Sequence, residues 1–195
     1  MSTRINIKAT AATPITTAKM VKSGQTTSYR TGDDGDLEPG RAVSFSVLSA
    51  NNPFGNTNRF TDELGTQTYT NNIVIDWSTY DGSVVNGYYK VLVFGTWNNA
   101  IDTSLALSVG TYTSGWRLSN RNELLAIYNS ELTQGMNYAP FNILGTIWSS
   151  TTWKFITTYA YTLSDTGISS VADKSGASGN RLSIRTFTVT GTILT

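Results

Sequence analysis

The stretch Gly-Trp-Arg-Leu-Ser-Asn-Arg-Asn-Glu-Leu at residues 115–124 says most about how this chain folds. It predicts the end of a strand followed by the start of a helix. Asn120 can cap the first helical turn, and Glu123 can reach back to it in a capping box. Leu124 then begins an apolar helix face. A later stretch, Trp-Ser-Ser-Thr-Thr at residues 148–152, joins an aromatic residue to small hydroxyl residues and predicts a buried strand.

Both stretches are interpreted as scaffold and not as a ligand surface. Their tryptophan and leucine side chains are expected in the core, because a helix is expected to pack against a sheet at this point of the chain. Arg117 and Glu123 are expected to form a structural pair or cap. The predicted structural-motif residues are Trp116, Arg117, Leu118, Glu123, Leu124, Trp148, Ser149 and Ser150.

Turn signals and short apolar runs divide the rest of the chain. Thr96 is a predicted N-cap, and apolar residues at helical spacing follow it, so a helix is expected near residues 97–107. Apolar runs predict strands at residues 66–77, 88–94, 147–148, 158–163 and 181–189. Two helices among many short strands favour the α+β class.

The length and composition predict one domain with an N-terminal arm. At 195 residues the chain can bury a substantial core without a disulfide. Residues 1–20 are rich in threonine and alanine and are predicted to be an arm for attachment or oligomerisation, and residues 21–195 are predicted to be the folded domain. No apolar run is typical of a signal peptide or long enough to span a bilayer, so we expect synthesis in a cytosol.

The composition excludes several functional classes. The chain has no histidine and no cysteine, which excludes Ser-His-Asp triads, thiol nucleophiles and cysteine-based zinc sites. Its net charge is +1, so it offers no long-range field to a nucleic acid or a membrane. Its 13 acidic residues form no distinctive catalytic pattern. The sequence therefore predicts a protein that is not an enzyme, needs no cofactor and binds no nucleic acid.

One acidic turn has the composition of a possible metal site. Asp33, Asp34, Asp36 and Glu38 lie close together around a glycine, and carboxylates at such spacing suit a calcium site built from oxygen ligands. The turn lacks the closing glutamate of a helix–loop–helix calcium motif. The preferred interpretation is an acidic turn without a metal, and calcium binding stays the alternative.

A series of further motifs occurs in a specific order along the chain. They are Gly-Gln-Thr at 24–26, Gly-Asp-Asp-Gly-Asp at 32–36, Arg-Phe-Thr-Asp at 59–62, Gly-Thr at 65–66, Ile-Val-Ile-Asp-Trp at 73–77, Trp-Asn-Asn-Ala at 97–100 and Pro-Phe at 140–141. With the two stretches above, this order resembles the C-terminal domain family of the Legionella collagen-like adhesin, which occurs in bacterial surface proteins and phage proteins. The resemblance covers about residues 21–185.

The resemblance implies a C-type-lectin-like fold, in which two helices flank a twisted, mostly antiparallel sheet. It also implies binding instead of catalysis, often by a homotrimer. The chain departs from the family at Ser119, where proline is usual, and in its lack of cysteine. The affinity of the adhesin for sulfated polysaccharide is not expected here, because this chain is nearly neutral.

The predicted ligand surface lies in the loops after Trp148. Residues 151–161 are rich in aromatic side chains, and residues 164–181 are predicted to form a long polar loop. The lectin-like fold implied by the resemblance places its exposed ligand face here, and aromatic side chains beside small polar ones suit contact with sugars or proteins. The alternative is that half of these aromatics alternate into the core. The predicted ligand-binding residues are Trp153, Lys154, Tyr159, Tyr161, Lys174 and Asn180.

The main functional hypothesis is a non-enzymatic phage virion surface protein: a head decoration, a fibre or a receptor-binding subunit. In this hypothesis residues 1–20 contact other virion structural proteins. A homotrimer then presents the lectin-like domain at the virion surface to host glycans, host proteins or mucus. One alternative is an adhesin module at the bacterial cell surface, and another is a hypervariable ligand-binding protein on the same fold. None of these hypotheses involves membrane insertion.

Overall fold

A computed structural model describes residues 27–33, 53–55, 58–91, 93–129 and 139–195. The predicted arm at residues 1–20 lies outside these residues, as do Asp34, Asp36 and Glu38 of the acidic turn. The described residues form two helices and curled, mostly antiparallel sheet structure, which confirms the predicted α+β class. No helix in these ranges is both long enough and apolar enough to cross a membrane.

The elements of the described residues follow one another as short strands around two helices. The strands are β1 (Phe60–Thr61), β2 (Ile73–Asp76), β3 (Val84–Tyr89), β4 (Arg117–Leu118), β5 (Ile147–Thr152), β6 (Tyr159–Leu163), β7 (Ser169–Asp173), β8 (Asn180–Arg181), β9 (Ser183–Thr190) and β10 (Ile193–Leu194). The helices are α1 (Trp97–Leu105) and α2 (Arg121–Asn129), and a 3-10 turn covers Trp77–Thr79.

Strands β3 and β9 form the centre of a six-stranded sheet. They pair antiparallel along the whole of β3, from Val84 opposite Thr188 to Tyr89 opposite Ser183. Strand β2 and then β1 continue the sheet beyond β3, and β4 and β10 both pair with β9. Because β9 lies near the C-terminus, this pairing joins two distant parts of the chain.

A second sheet has four strands in the order β7, β6, β5, β8. Strands β5, β6 and β7 form two antiparallel hairpins, and β8 runs parallel to β5 with Asn180 opposite Ile147. The prediction of a long loop at residues 164–181 is wrong, because this range contains β7 and β8. Strand β7 has few apolar residues, so its formation depends on pairing with the edge of β6 more than on its own sequence.

Both helices begin where the sequence predicts. Helix α1 follows the N-cap Thr96, whose hydroxyl accepts a backbone N–H of the first turn, and it ends at Leu105, just before the predicted end. Before helix α2, the side-chain oxygen of Asn120 accepts from the Glu123 N–H at 2.8 Å, and the Glu123 carboxylate accepts from the Asn120 N–H at 2.8 Å. The predicted capping box is therefore confirmed.

One part of the core lies between α1 and the two sheets. The buried side chains of Leu118 and Trp148 pack there against Trp97 and Ile101 of α1 and against Ala160 of β6. The indole N–H groups of both tryptophans are satisfied by backbone carbonyls, at 2.8 Å for Trp97 and 2.9 Å for Trp148. These contacts fix the position of α1 relative to both sheets.

The other structural-motif residues are buried as well. Trp116 lies in a neighbouring cluster, edge-on to Phe187, with ring centroids 5.9 Å apart. Leu124 lies on the buried face of α2, in a third cluster. The remaining buried members of the motif are Arg117, Glu123, Ser149 and Ser150. The structure thus places the whole motif in the scaffold.

Two of the predicted strands, those at residues 66–77 and 88–94, begin in the wrong place by several residues. Strand β3 covers Val84–Tyr89 and not residues 88–94, and Phe94 is 68% exposed. The apolar run in the sequence was misleading, because pairing with β9 sets the bounds of β3 and begins at Val84. Strand β2 is shorter than the predicted 66–77, since a loop precedes it.

Candidate ligand-binding surface

The turn between β5 and β6 carries a group of aromatic side chains at the surface. We call residues 153–159 the hairpin tip. The ring of Trp153 lies edge-on to Phe155, with centroids 5.7 Å apart, and to Tyr159, at 6.2 Å. Phe155 is 71% exposed and Ile156 is 45% exposed. Such an exposed apolar group on a loop is unusual for a surface that only faces solvent.

Backbone hydrogen bonds give the hairpin tip a defined shape. The Trp153 N–H donates to the Tyr159 carbonyl at 2.9 Å, and the Tyr159 N–H donates to the Ile156 carbonyl at 2.9 Å. The ammonium of Lys154 lies 4.8 Å from the centroid of the exposed Phe155 ring. The tip therefore presents aromatic faces beside a cation that can donate hydrogen bonds.

The side chain of Lys174 supports the hairpin tip through two hydrogen bonds. Its ammonium donates to the Thr152 hydroxyl at 2.8 Å and to the Thr157 carbonyl at 2.9 Å. The same ammonium lies 3.9 Å from the ring centroid of the buried Trp97. Lys174, predicted as a ligand contact, is thus a clamp between the tip and helix α1.

The environment of Lys174 changes its acidity. Burial lowers the pKa of Lys174 to about 8, and the carboxylate of Asp33 opposes this shift. The side chain is only partly buried, so water still contributes to its solvation. The clamp therefore holds a cation at neutral pH and loses part of its charge in mildly alkaline solution.

Tyr161 extends the aromatic surface along the sheet. Residues two apart on a strand share a face, so Tyr161 and Tyr159 lie on the same side of β6. The guanidinium of Arg121 lies 4.7 Å from the centroid of the Tyr161 ring, and its Nε donates to the Ser169 hydroxyl at 3.2 Å. This face, continuous with the hairpin tip, joins β6 to the start of α2.

Asn180 does not belong to this surface. It is only 6% exposed, and its amide donates to the Leu144 carbonyl at 2.7 Å. Its partner in β5 is Ile147, at the end of that strand away from the hairpin tip. Asn180 is therefore a scaffold residue, and the prediction that it contacts a ligand is corrected. The other five predicted residues lie at the hairpin tip, on β6 or directly after β7.

The acidic turn contributes one described carboxylate. Asp33 is buried and accepts from the Tyr29 N–H at 2.8 Å. Within the ranges that the structure describes, no three acidic side chains come close enough together to hold a metal ion. The described geometry therefore adds no support to the calcium alternative.

Two acidic residues have structural roles that the sequence analysis missed. Asp76 receives two hydrogen bonds from the guanidinium of Arg59, at 2.9 and 2.7 Å. Asp62 organises the loop before β2 by accepting from the N–H groups of Leu64, Thr66 and Tyr69. Burial raises the pKa of Asp62, but the hydrogen bond from the Thr66 hydroxyl and those from these N–H groups outweigh burial and lower the pKa below its usual value. The Arg-Phe-Thr-Asp motif at residues 59–62 contains both Arg59 and Asp62, so it was the sequence feature from which these roles could have been predicted.

Comparison with known proteins adds no relative: no family model matches this chain, and no curated protein matches it significantly. The resemblance described above rests on the motif series alone.

Proposed function

We propose that this chain is a non-enzymatic recognition domain that binds a surface glycan through the hairpin tip. The observation that carries the proposal is the packed group of Trp153, Phe155 and Tyr159, in which Phe155 is exposed beside Lys154 and the other two rings are partly exposed. Aromatic faces pack against the apolar faces of sugar rings, while the ammonium of Lys154 and nearby hydroxyls can bond sugar oxygens.

The rigid support of the tip favours binding. Lys174 ties the turn to the Thr152 hydroxyl and the Thr157 carbonyl, so less conformational entropy is lost when a ligand is bound. The neutral surface of the chain agrees with a glycan ligand that carries little charge.

The wider proposal concerns the setting of this domain. We infer a C-type-lectin-like fold in a phage virion surface protein, assembled as a homotrimer and attached through residues 1–20. Two helices with mostly antiparallel sheet structure support the fold, and the ordered motifs support the family. The low charged fraction of 14% and the hydroxyl-rich composition support a surface location.

A glycan array on the full chain tests the binding proposal, followed by titration of any glycan that binds. Replacing Trp153 and Phe155 together by alanine should weaken binding by at least about tenfold, because buried aromatic contacts contribute most of the energy at such sites. The matched control is Ile193→Ala, which removes another exposed apolar side chain from the other sheet. Circular dichroism checks that the variants are folded.

Two results would contradict the proposal. One is an array on which the wild-type chain binds no glycan. The other is a glycan that binds the doubly substituted tip with unchanged affinity. The first result would leave the aromatic tip without a glycan ligand, and the second would place the glycan site elsewhere.

A further inference from the structure

A second concave site lies on the larger sheet, where the loop after β1 meets the turn after α1. Its volume is about 240 Å³, and its walls are Glu63, Leu64, Asn71, Ile73 and residues 109–112. We call it the Glu63 pocket. It shares no residue with the hairpin tip, so nothing in the proposed function depends on it.

Glu63 gives this pocket a polar atom without a partner. The side chain is only 8% exposed. Its Oε1 accepts from the Asn71 amide, whereas its Oε2 is buried and has no hydrogen-bond donor among the described residues. No arginine or lysine in those ranges forms an ion pair with it. Buried carboxylate oxygens are normally bonded, so this one calls for a donor that the described residues do not supply.

The remaining walls are mostly apolar and well held. Ile73 is fully buried, whereas Leu64 at the rim is 68% exposed. Val109 and Tyr112 exchange backbone hydrogen bonds at 3.1 and 2.9 Å across a tight turn. The Tyr112 ring packs edge-on against Phe187 at 4.9 Å. The pocket is therefore preformed and small, below the usual size for a drug-like ligand.

The charge and shape of the pocket select the ligand. A carboxylate oxygen surrounded by apolar walls is best compensated by a cation. A guanidinium bonds both oxygens of a carboxylate as a fork, so it would have to share Oε1 with the Asn71 amide. An ammonium is a compact point donor and needs only the free Oε2.

We propose that the Glu63 pocket binds a primary ammonium group, carried either by an amino sugar or by a lysine side chain of another protein. The Tyr112 phenol stays neutral beside the carboxylate, because burial and then the charge of Glu63 raise the pKa of Tyr112. The ring can therefore line the pocket without repelling Glu63.

Amide chemical shifts of the full chain test this proposal. Glucosamine and Nα-acetyl-lysine methylamide are the two ammonium probes. Glucose and the Nε-acetylated lysine derivative are their neutral counterparts. We expect an ammonium probe to shift the amides of Leu64, Gly110 and Thr111, while its neutral counterpart leaves them in place. Glucosamine alone would identify an amino sugar, the lysine probe alone a protein side chain, and both would support the shared chemistry.

Three variants make the test specific. Glu63→Gln keeps the shape and the Asn71 hydrogen bond but removes the charge, and it should weaken binding of the ammonium probe at least about tenfold. Thr111→Trp places a bulky group at an exposed wall position and should block entry without disturbing the core. Asp102→Asn removes an exposed charge elsewhere and should bind like the wild type.

The proposal is overturned if neither ammonium probe shifts these amides, or if the neutral probes shift them equally. Unchanged binding by Glu63→Gln has the same consequence. If Glu63→Gln fails to fold, Thr111→Trp decides: ammonium binding that survives this substitution contradicts the pocket. Substitution of Trp153 and Phe155 should leave ammonium binding unchanged, which separates the two sites.

Discussion

Arg117 and Glu123 connect a strand to a helix through one buried pair of charges. The guanidinium of Arg117 donates to both carboxylate oxygens of Glu123, at 2.6 and 2.9 Å. The same carboxylate accepts the Asn120 N–H at the start of α2. Glu123 is 3% exposed, so its charge depends on these partners and not on water. A single side chain thus serves as both the ion-pair partner and the helix cap.

Removal of Glu123 should therefore be costly. We expect Glu123→Ala to lower the free energy of unfolding by about 3–5 kcal/mol, because it removes the carboxylate that pairs with the buried Arg117. Urea denaturation at neutral pH measures the change. The matched control is Asp102→Ala, which breaks the exposed pair with Arg30 and should change stability by less than about 1 kcal/mol. Equal losses in the two variants would contradict this view of Glu123.

Lys174 makes the stability of the fold depend on pH in a specific direction. Burial lowers the pKa of Lys174 from its ordinary value of 10.5 to about 8 in the folded chain. Between these values the unfolded chain holds a proton that the folded chain has released. The free energy of unfolding should therefore rise as the pH increases through this window.

The variant Lys174→Met isolates this contribution. Between about pH 7 and about pH 9 the wild type should gain on the order of 1 kcal/mol more than the variant, a modest value because solvent screens the half-exposed ammonium. Urea denaturation of both proteins at both pH values gives the difference, and contributions from other groups such as Lys90 cancel. An equal or smaller gain in the wild type would show that Lys174 keeps its ordinary pKa.

At the scale of elements, the centre of the larger sheet depends on a residue without a side chain. A Cβ at Gly87 in β3 would lie 2.6 Å from Cε2 of Phe187 and 2.7 Å from Cδ1 of Ile75. Both neighbours are fully buried, so neither can move freely. The close packing of β2, β3 and β9 therefore requires glycine at this position.

Gly87→Ala should lower the free energy of unfolding by about 1–3 kcal/mol through overpacking. Thermal or urea denaturation measures the loss. Gly176→Ala is the control, because no atom lies within 4 Å of a Cβ built there. This control should stay within about 0.5 kcal/mol of the wild type. If Gly87→Ala is as stable as the control, the sheet around Gly87 is packed less tightly than these distances indicate.

Some elements follow from local sequence and others do not. The capping box at Asn120 and the N-cap at Thr96 act within one helical turn, so the sequence predicts where both helices begin. Strand β6 has a clear β pattern and was predicted almost to the residue. Strand β7 and the bounds of β3 depend on partners far along the chain. No local pattern marks them, and their prediction failed.

At the scale of the whole molecule, the proposed trimer can be tested without knowing the ligand. Sedimentation of the full chain should give three times the protomer mass of 21.2 kDa. Removal of residues 1–20 should abolish the trimer and leave the domain folded, because the described strand pairs of both sheets lie within residues 60–194. Circular dichroism of the truncated chain provides the control. A truncated chain that still forms trimers would contradict the role of the arm.

In the candidate site, as among the helices and strands, local sequence predicts some features and not others. Aromatic residues around Trp153 pointed to an exposed surface, because they follow one another closely along the chain. The clamp by Lys174 was not predictable, since the ammonium meets Thr152 and Trp97 only after the chain has folded. Asn180 was misplaced for the same reason, because its burial depends on contact with Leu144.

Local patterns were enough to establish the α+β class, the starts of both helices and the scaffold role of the two opening motifs, because caps and apolar periodicity act between residues close in sequence. The Glu63 pocket, the Lys174 clamp and the pairing of β3 with β9 bring together residues far apart in sequence. Such contacts form only when packing of the core fixes the distance between elements. Only the tertiary structure therefore shows them.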